Sequence, residues 1–214
     1  MKIAIIGASG KAGKHMVHEA KMRGYEPTAI VKNKATLKRE IPTIEADLFH
    51  LTAEDLAPFD VIINAFAPLN GEEHLHVEAG KHLISLLTNT NKRLFVIGSS
   101  GILFIDCHKT IRLLEHEDYP EHLFNNAKAQ LQNLQDLQNS SIQWTFISPP
   151  ALFDVEGPRT GHYTVRKERV AYNSQLDSYS SYADLAVAVI DEIENKQFIN
   201  ESFTLASENF TSAS

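Results

Sequence analysis

The chain has 214 residues, 43% of them hydrophobic, and a formal charge of −7 from 20 Lys and Arg against 27 Asp and Glu. This apolar content suffices for a packed core and excludes a disordered chain, while the acidic balance argues against a nucleic-acid partner, which asks for a basic face. The single cysteine, Cys107, excludes an internal disulfide and a cysteine-based zinc site and suits a reducing compartment.

Taken in chain order, Lys2–Ile6 (KIAII) is a short apolar run closed by glycine, which reads as a strand buried on both faces. One lysine and the four-residue apolar run Ile3–Ile6 ahead of Gly7 are too little for a signal peptide. No run approaches the ~18 apolar residues of a membrane span. The expectation is a cytoplasmic protein without membrane contact. Ala12, Met16, Val17 and Ala20 then recur at helical spacing until Gly24. Further strands are expected at Thr28–Val31, Thr43–Ala46, Asp60–Asn64, Arg93–Gly98, Trp144–Ser148 and Ser202–Leu205. Helices are expected near Glu72–Thr88, along Ala127, Leu131, Leu134 and Leu137, and after a Ser181/Asp184 capping box. Alternating strands and helices predict an α/β fold: a Rossmann-type, doubly wound, mainly parallel sheet with helices on both faces. Residues 1–207 form one domain, about 149–182 make a small substrate-side portion, and 208–214 are a tail expected to fray.

Between the first strand and first helix lies Gly7-Ala8-Ser9-Gly10-Lys11-Ala12-Gly13. A helix N-terminus offers unpaired N–H groups and a partial positive charge. Gly7 allows the tight turn, Gly10 the close approach of a pyrophosphate, and Gly13 close helix–sheet packing. No G-K-[ST] follows at Walker A spacing. An NAD site usually carries an acid at the end of the second strand, to grip the ribose 2′-OH. Here the strand ends Val31-Lys32-Asn33-Lys34. Lys32, with Lys11 from the loop, favours NADP(H) over NAD(H), unless Lys32 is simply a solvated surface charge.

The G-x-x-G-x-x-G spacing resembles the extended and atypical branches of the short-chain dehydrogenase/reductase superfamily. IVKN, EADLF, WTFISPPALF, RTGHY and SYADLAVAVIDEIEN, in that order, are similar to the atypical NAD(P)H-binding group of NADH-flavin reductase-like proteins, related to biliverdin reductase B and NmrA-like proteins. The resemblance spans nearly the whole chain. It implies that Asp47 and Leu48 lie beside the adenine, with a cap as the other role for Asp47. It further implies that Ala65, Phe66 and Ala67 wall the ribose pocket, with core packing as the other role for Phe66.

The superfamily's alcohol chemistry uses Tyr-x-x-x-Lys with a Ser. The one literal match, Tyr163–Lys167, falls late, in a segment that reads as extended. At the expected helix the chain reads Phe124-Asn-Asn-Ala-Lys128, which keeps the lysine and lacks the hydroxyl. Ser99 and Ser100 end the fifth strand, where Ser100 either bonds a substrate carbonyl or simply forms a turn. Tyr119 is a substitute donor or the start of the next helix. Lys128 is expected near the nicotinamide ribose. Pro149 follows the sixth strand near the nicotinamide, and Phe104 and Phe153 are candidates for an apolar acceptor pocket, or for core. His18, His74, His76 and His82 read as surface histidines, so no metal is expected.

Two functions follow. One is an NAD(P)H-dependent reductase that passes hydride to a flavin, quinone or other planar small-molecule acceptor, with flavin as substrate rather than resident cofactor. The other is a non-catalytic NmrA-like redox sensor. A monomer or homodimer suits either.

Overall fold

The structure is a computed structural model and describes residues 1–37 and 40–208. Residues 209–214, most of the tail expected to fray, lie outside the described residues.

The apolar runs form the strands expected of them. β1 (Ile3–Ile6) and β4 (Val61–Asn64) are buried along their full length. Around them stand β2 (Thr28–Val31), β3 (Thr43–Glu45), β5 (Arg93–Ile97), β6 (Gln143–Ser148) and β10 (Glu201–Ser207). The sheet order is β3-β2-β1-β4-β5-β6-β10-β8, where β8 is Tyr163–Lys167. Neighbours are parallel except β8, which runs antiparallel to β10. The chain winds outward from β1 to β3 and returns to β4, so the order reverses between β1 and β4. A Rossmann-type sheet opens its ligand crevice at that switch point.

Helices cover both faces, which is why the central strands read as continuous apolar runs. On one face α1 (Lys11–Met22) packs against α5 (Tyr182–Asn195), with Met16, Ala20, Leu185 and Val189 over Ile3, Ile5 and Ile63. On the other, α3 (Leu75–Leu87) packs against α4 (Glu121–Gln138), with Leu83, Leu134 and Leu137 over Ile62, Leu94 and Phe146. The short α2 (Ala53–Leu56) is closed by a Thr52/Asp55 capping box.

Three strands beyond those expected appear in or beside the substrate-side portion. β7 (Leu152–Asp154) and β9 (Tyr179–Ser181) pair in parallel as a separate two-stranded sheet. β8 is the segment read as extended. It is an exposed edge bearing Arg166 and Lys167, charges that discourage edge-to-edge pairing.

Two expectations are corrected. His76 is not a surface histidine: it is 6% exposed and wedged between α3 and α4. Its Nε2 lies 2.9 Å from Asn126 Oδ1 and its Nδ1 3.0 Å from Gln130 Nε2. A neutral ring protonated at Nε2 satisfies both, and burial lowers its pKa accordingly. At the start of α5 the capping box is half present. Ser181 Oγ accepts from Asp184 N at 3.0 Å. The Asp184 carboxylate, however, is taken by Thr160 N, Thr160 Oγ1 and Gly161 N at 2.8, 2.6 and 2.8 Å. Among the described residues, no helix is long and apolar enough to cross a membrane.

Candidate functional site

The crevice begins where β1 stops. Gly7 leaves the strand at φ +72°, in the left-handed region, and its N–H donates to Ile30 O on β2 at 3.0 Å. Gly10 N donates to Gly7 O at 2.9 Å, and Lys14 N to Gly10 O at 3.1 Å, so the turn runs straight into α1. A Cβ on Gly7 would stand 2.7 Å from Ala65 O, and one on Gly13 only 2.2 Å from Gly7 O. Both glycines are demanded by the fold itself. Gly10 differs: it is exposed, and an added Cβ would meet only Gly7 O, at 3.2 Å. The bare backbone there leaves room for something outside the chain.

That room faces an uncapped helix. Gly10 occupies the N-cap position and offers no side-chain acceptor, and the first turn of α1 holds no acid. The N–H groups of Lys11, Ala12 and Gly13 precede the first intrahelical bonds and are available to an anion. A pyrophosphate fits this cradle in charge, donor geometry and space.

Around the cradle lie the ends of the neighbouring strands. After β2, Lys32 is 82% exposed, and its Nζ pairs with Asp47 Oδ2 at 3.0 Å. Asp47 follows β3 and also accepts from Phe49 N at 3.1 Å, capping a short turn. Lys32 first, then the Phe49 N–H, holds the Asp47 carboxyl below its ordinary range. The Leu48 side chain is buried in the core. After β4, Asn64 Oδ1 accepts from Phe66 N at 3.1 Å and shapes the Ala65–Ala67 turn. Ala65 is buried and Ala67 exposed. Phe66 packs partly against the core, its ring edge-on to Phe49 at 5.8 Å and to His76 at 6.1 Å.

After β5, buried Ser99 Oγ accepts from Gly101 N at 3.2 Å, and Ser100 opens the short turn that follows. The Tyr119 hydroxyl reaches this turn. Its oxygen is sealed from solvent without a hydrogen bond of good geometry, and a Cβ on Gly101 would stand 2.5 Å from it. Burial pushes the phenol pKa up, and the neighbouring Ser99 and Ser100 hydroxyls pull it partly back. After β6, Pro149 is buried.

The topology thus gathers Gly7–Gly13, Lys32, Asp47, Leu48, Ala65–Ala67, Ser99, Ser100 and Pro149 along one edge of the sheet. Lys128 is exposed in a groove beside Glu73 and His74. Phe124 is 40% exposed on the first turn of α4. Phe153 stacks on Tyr182, ring centroids 3.6 Å apart, and packs against the α1/α5 core. Phe104 instead lies under the Arg112 guanidinium, 4.0 Å from its ring centroid. Tyr163 donates to Asp191 on α5, and Lys167 Nζ pairs with Glu201 at 2.5 Å. Asn64 escaped the sequence reading, although a polar residue closing the apolar run VIIN is a legible sign of a side chain used by the following turn.

A family model described as NAD(P)H-binding matches residues 7–196. The Bacillus subtilis protein YwnB, named as uncharacterized, is 51% identical over 211 residues, covering 97% of this chain and 99% of the relative. Among solved structures, a Streptococcus pneumoniae protein described as "a putative NADH-flavin reductase" superposes with a TM-score of 0.93 at 40% identity, over 97% of this chain and 100% of the other. A Bacteroides thetaiotaomicron protein described as a "putative epimerase" gives 0.84 at 29% identity, over 97% of each chain.

Proposed function

The chain belongs to the NAD(P)H-binding family, and from that premise we propose that it is an NAD(P)H-dependent reductase, preferring NADP(H), that acts on a flavin, quinone or similar planar acceptor without a Tyr-x-x-x-Lys acid. The observation that carries this reading is the uncapped, Cβ-free cradle at Gly10, placed at the switch point of the sheet. The backbone of Ser9–Gly13 would hold the pyrophosphate. Asp47, the Leu48 backbone and Ala65–Ala67 would border the adenosine, and Ser99, Ser100 and Pro149 the nicotinamide end. The bound dinucleotide supplies a hydride from its reduced nicotinamide.

The chain's own part is positioning. Three observations support chemistry without a side-chain acid. Phe124 has no hydroxyl. The Tyr163 hydroxyl is occupied by Asp191. The Tyr119 oxygen is sealed beneath the Ser99–Gly101 turn, where burial favours its neutral form. Flavins and quinones suit such a site, because the reduced acceptor takes its proton from water. The description of the Streptococcus pneumoniae relative points to the same acceptor class.

The test is NADPH consumption with a panel of flavins and quinones. Turnover well above the non-enzymatic rate supports the reductase. Tight NADPH binding with no turnover across the panel would replace it with a dinucleotide-reporting sensor.

A further inference from the structure

We infer that Leu176 and Leu152 form an apolar lip at the acceptor end of the site and select an uncharged acceptor, a quinone or an unphosphorylated flavin, over a phosphorylated flavin. The inference rests on the proposed reductase function and narrows its acceptor class.

Leu176 is 79% exposed, more than any other large apolar side chain among the described residues. Its φ is +64°, in the left-handed region, and the other non-glycine residues described there are all polar or charged. A single exposed leucine needs no explanation. A leucine that also holds a backbone conformation disfavoured by its Cβ does, because neither feature stabilises the chain.

The loop that carries Leu176 is closed on itself by buried Asn173. Asn173 Oδ1 accepts from Gln175 N and Asp177 N at 3.0 and 2.9 Å, and Nδ2 donates to Ser207 O at 3.0 Å. Asn173 N donates to Asp177 O at 2.9 Å, and Leu176 N to Asn173 O at 3.1 Å. These bonds hold the leucine out from the end of β10.

The same loop is bonded to the segment that follows β6. Ala151 N donates to Ser178 Oγ at 3.2 Å, and Leu152 N to Ser178 O at 2.8 Å. Leu152 is exposed as well. β6 and β10 are parallel, so both segments stand at the sheet edge that holds the glycine cradle. Leu152 follows Pro149, at the proposed nicotinamide end, by three residues. A planar acceptor lying against the nicotinamide therefore presents its outer edge to this lip.

The charges beside the lip decide what that edge can carry. Residues 149–154 and 171–178 contain no lysine or arginine, and their charged residues are Asp154 and Asp177. Glu208 adds a third carboxylate, accepting from Ser174 N at 3.1 Å. A phosphate on the acceptor meets like charge there, whereas a methyl group or ring edge removes Leu176 and Leu152 from water.

The experiment is steady-state kinetics of the full chain at saturating NADPH with riboflavin, FMN and a methylated naphthoquinone, beside the NADPH affinity and melting temperature of each variant. In wild type, kcat/KM for riboflavin and the quinone should exceed that for FMN by about fivefold or more at low salt, the gap narrowing as salt screens the carboxylates. Leu176→Gly adopts the left-handed backbone without strain, so it should melt within a few degrees of wild type and bind NADPH within about twofold. It should nevertheless raise KM for the quinone by about fivefold or more, with a smaller change in kcat. Leu176→Met stays apolar and should keep KM within about twofold. An unchanged KM in Leu176→Gly overturns the lip. FMN used as well as riboflavin overturns the charge rule and assigns the phosphate to Arg169, the nearest cation along the chain. A dimer present in wild type and lost in Leu176→Gly gives the leucine to a second copy of the chain and overturns its role at the site. NADPH binding without turnover of any acceptor overturns the reductase reading itself, a result distinct from an unchanged KM in an active enzyme.

Discussion

Glu19 and Arg159, 140 residues apart, form a two-pronged ion pair, with Nε 2.7 Å from Oε2 and Nη2 2.9 Å from Oε1. Glu19 lies on the buried stripe of α1 and is 1% exposed, so water cannot replace those donors; Arg23 Nε adds a third at 3.0 Å. Asp184 holds the next two residues, Thr160 and Gly161, from α5. The strap that leads from β7 to β8 is thereby fastened to the same helix whose N-terminus forms the glycine cradle.

This pair sets a pH dependence. The Arg159 hydrogen bonds hold the Glu19 carboxyl below its ordinary 4.5, against the opposing effect of burial. The stability this contributes is fully present above the unfolded value and is lost as pH falls through the lower folded value. Arg159 is partly exposed, so Glu19→Gln should cost about 2 kcal/mol at pH 7, less than breaking a fully buried pair. In urea melts the gap between wild type and variant should narrow below about pH 4.5 and close as Glu19 protonates. A gap that stays constant from pH 7 to pH 3 would refute the coupling.

The two glycines of the cradle should separate binding from folding. Gly10→Val meets one tight contact in the chain, Gly7 O at 3.2 Å from its Cβ, against 2.2 Å for a Cβ on Gly13, so the variant should melt within several degrees of wild type. It should lose dinucleotide affinity by ~100-fold or more, about 3 kcal/mol. Gly13→Ala places a Cβ 2.2 Å from Gly7 O, a rigid backbone atom, and should cost ~3 kcal/mol even without ligand. Unchanged affinity in Gly10→Val would remove the cradle from the site.

What the sequence disclosed follows from how local each signal is. The runs KIAII, DVIIN and RLFVIG announce buried parallel strands, and the glycine spacing announces the β1–α1 turn, because each is decided within a few residues. The three-residue strands β7 and β9 exist only through pairing across 27 positions, Leu152 with Tyr179, and carry no period long enough to read. His76 looked like surface because its neighbours His74 and Glu78 are; its burial is decided by Asn126 and Gln130, fifty residues away. The Asp184 carboxylate could not be placed from the Ser181 cap alone, since its partners arrive from the 160–161 strap. Lys32 reads as a free cation at the end of β2, yet Asp47, two elements later, has claimed it.

Gly101 tests how tightly the turn after β5 is packed. An added Cβ would stand 2.5 Å from both Ala127 Cβ and Tyr119 Oη. Gly101→Ala should therefore cost about 1–3 kcal/mol by overpacking. Tyr119→Phe removes one of the two clashing atoms, so the glycine substitution should cost less in that background. Chemical denaturation of the four proteins in the cycle reads the coupling. Strict additivity would mean that the Tyr119 hydroxyl does not occupy this turn.

The sharpest test of the proposed chemistry is Tyr163. Its hydroxyl donates to Asp191, and burial first, then the Asp191 charge, pushes its pKa further above the ordinary 10. A phenol so held neither ionises nor turns toward a substrate between pH 6 and pH 9. Tyr163→Phe should therefore cost about 1–2 kcal/mol of stability, for a lost hydrogen bond to a charged group, and leave kcat within about threefold. Lys167→Met removes only a partly exposed pair with Glu201 and should change both quantities little. Tyr119→Phe should also leave kcat within about threefold, because its oxygen is sealed from the acceptor. Across the same pH range the rate with a flavin should show no steep limb assignable to a tyrosine. A fall in kcat of ~100-fold or more in Tyr163→Phe, the low end of what removing a general acid costs, would show that the hydroxyl leaves Asp191 to act on the substrate and would restore conventional dehydrogenase chemistry.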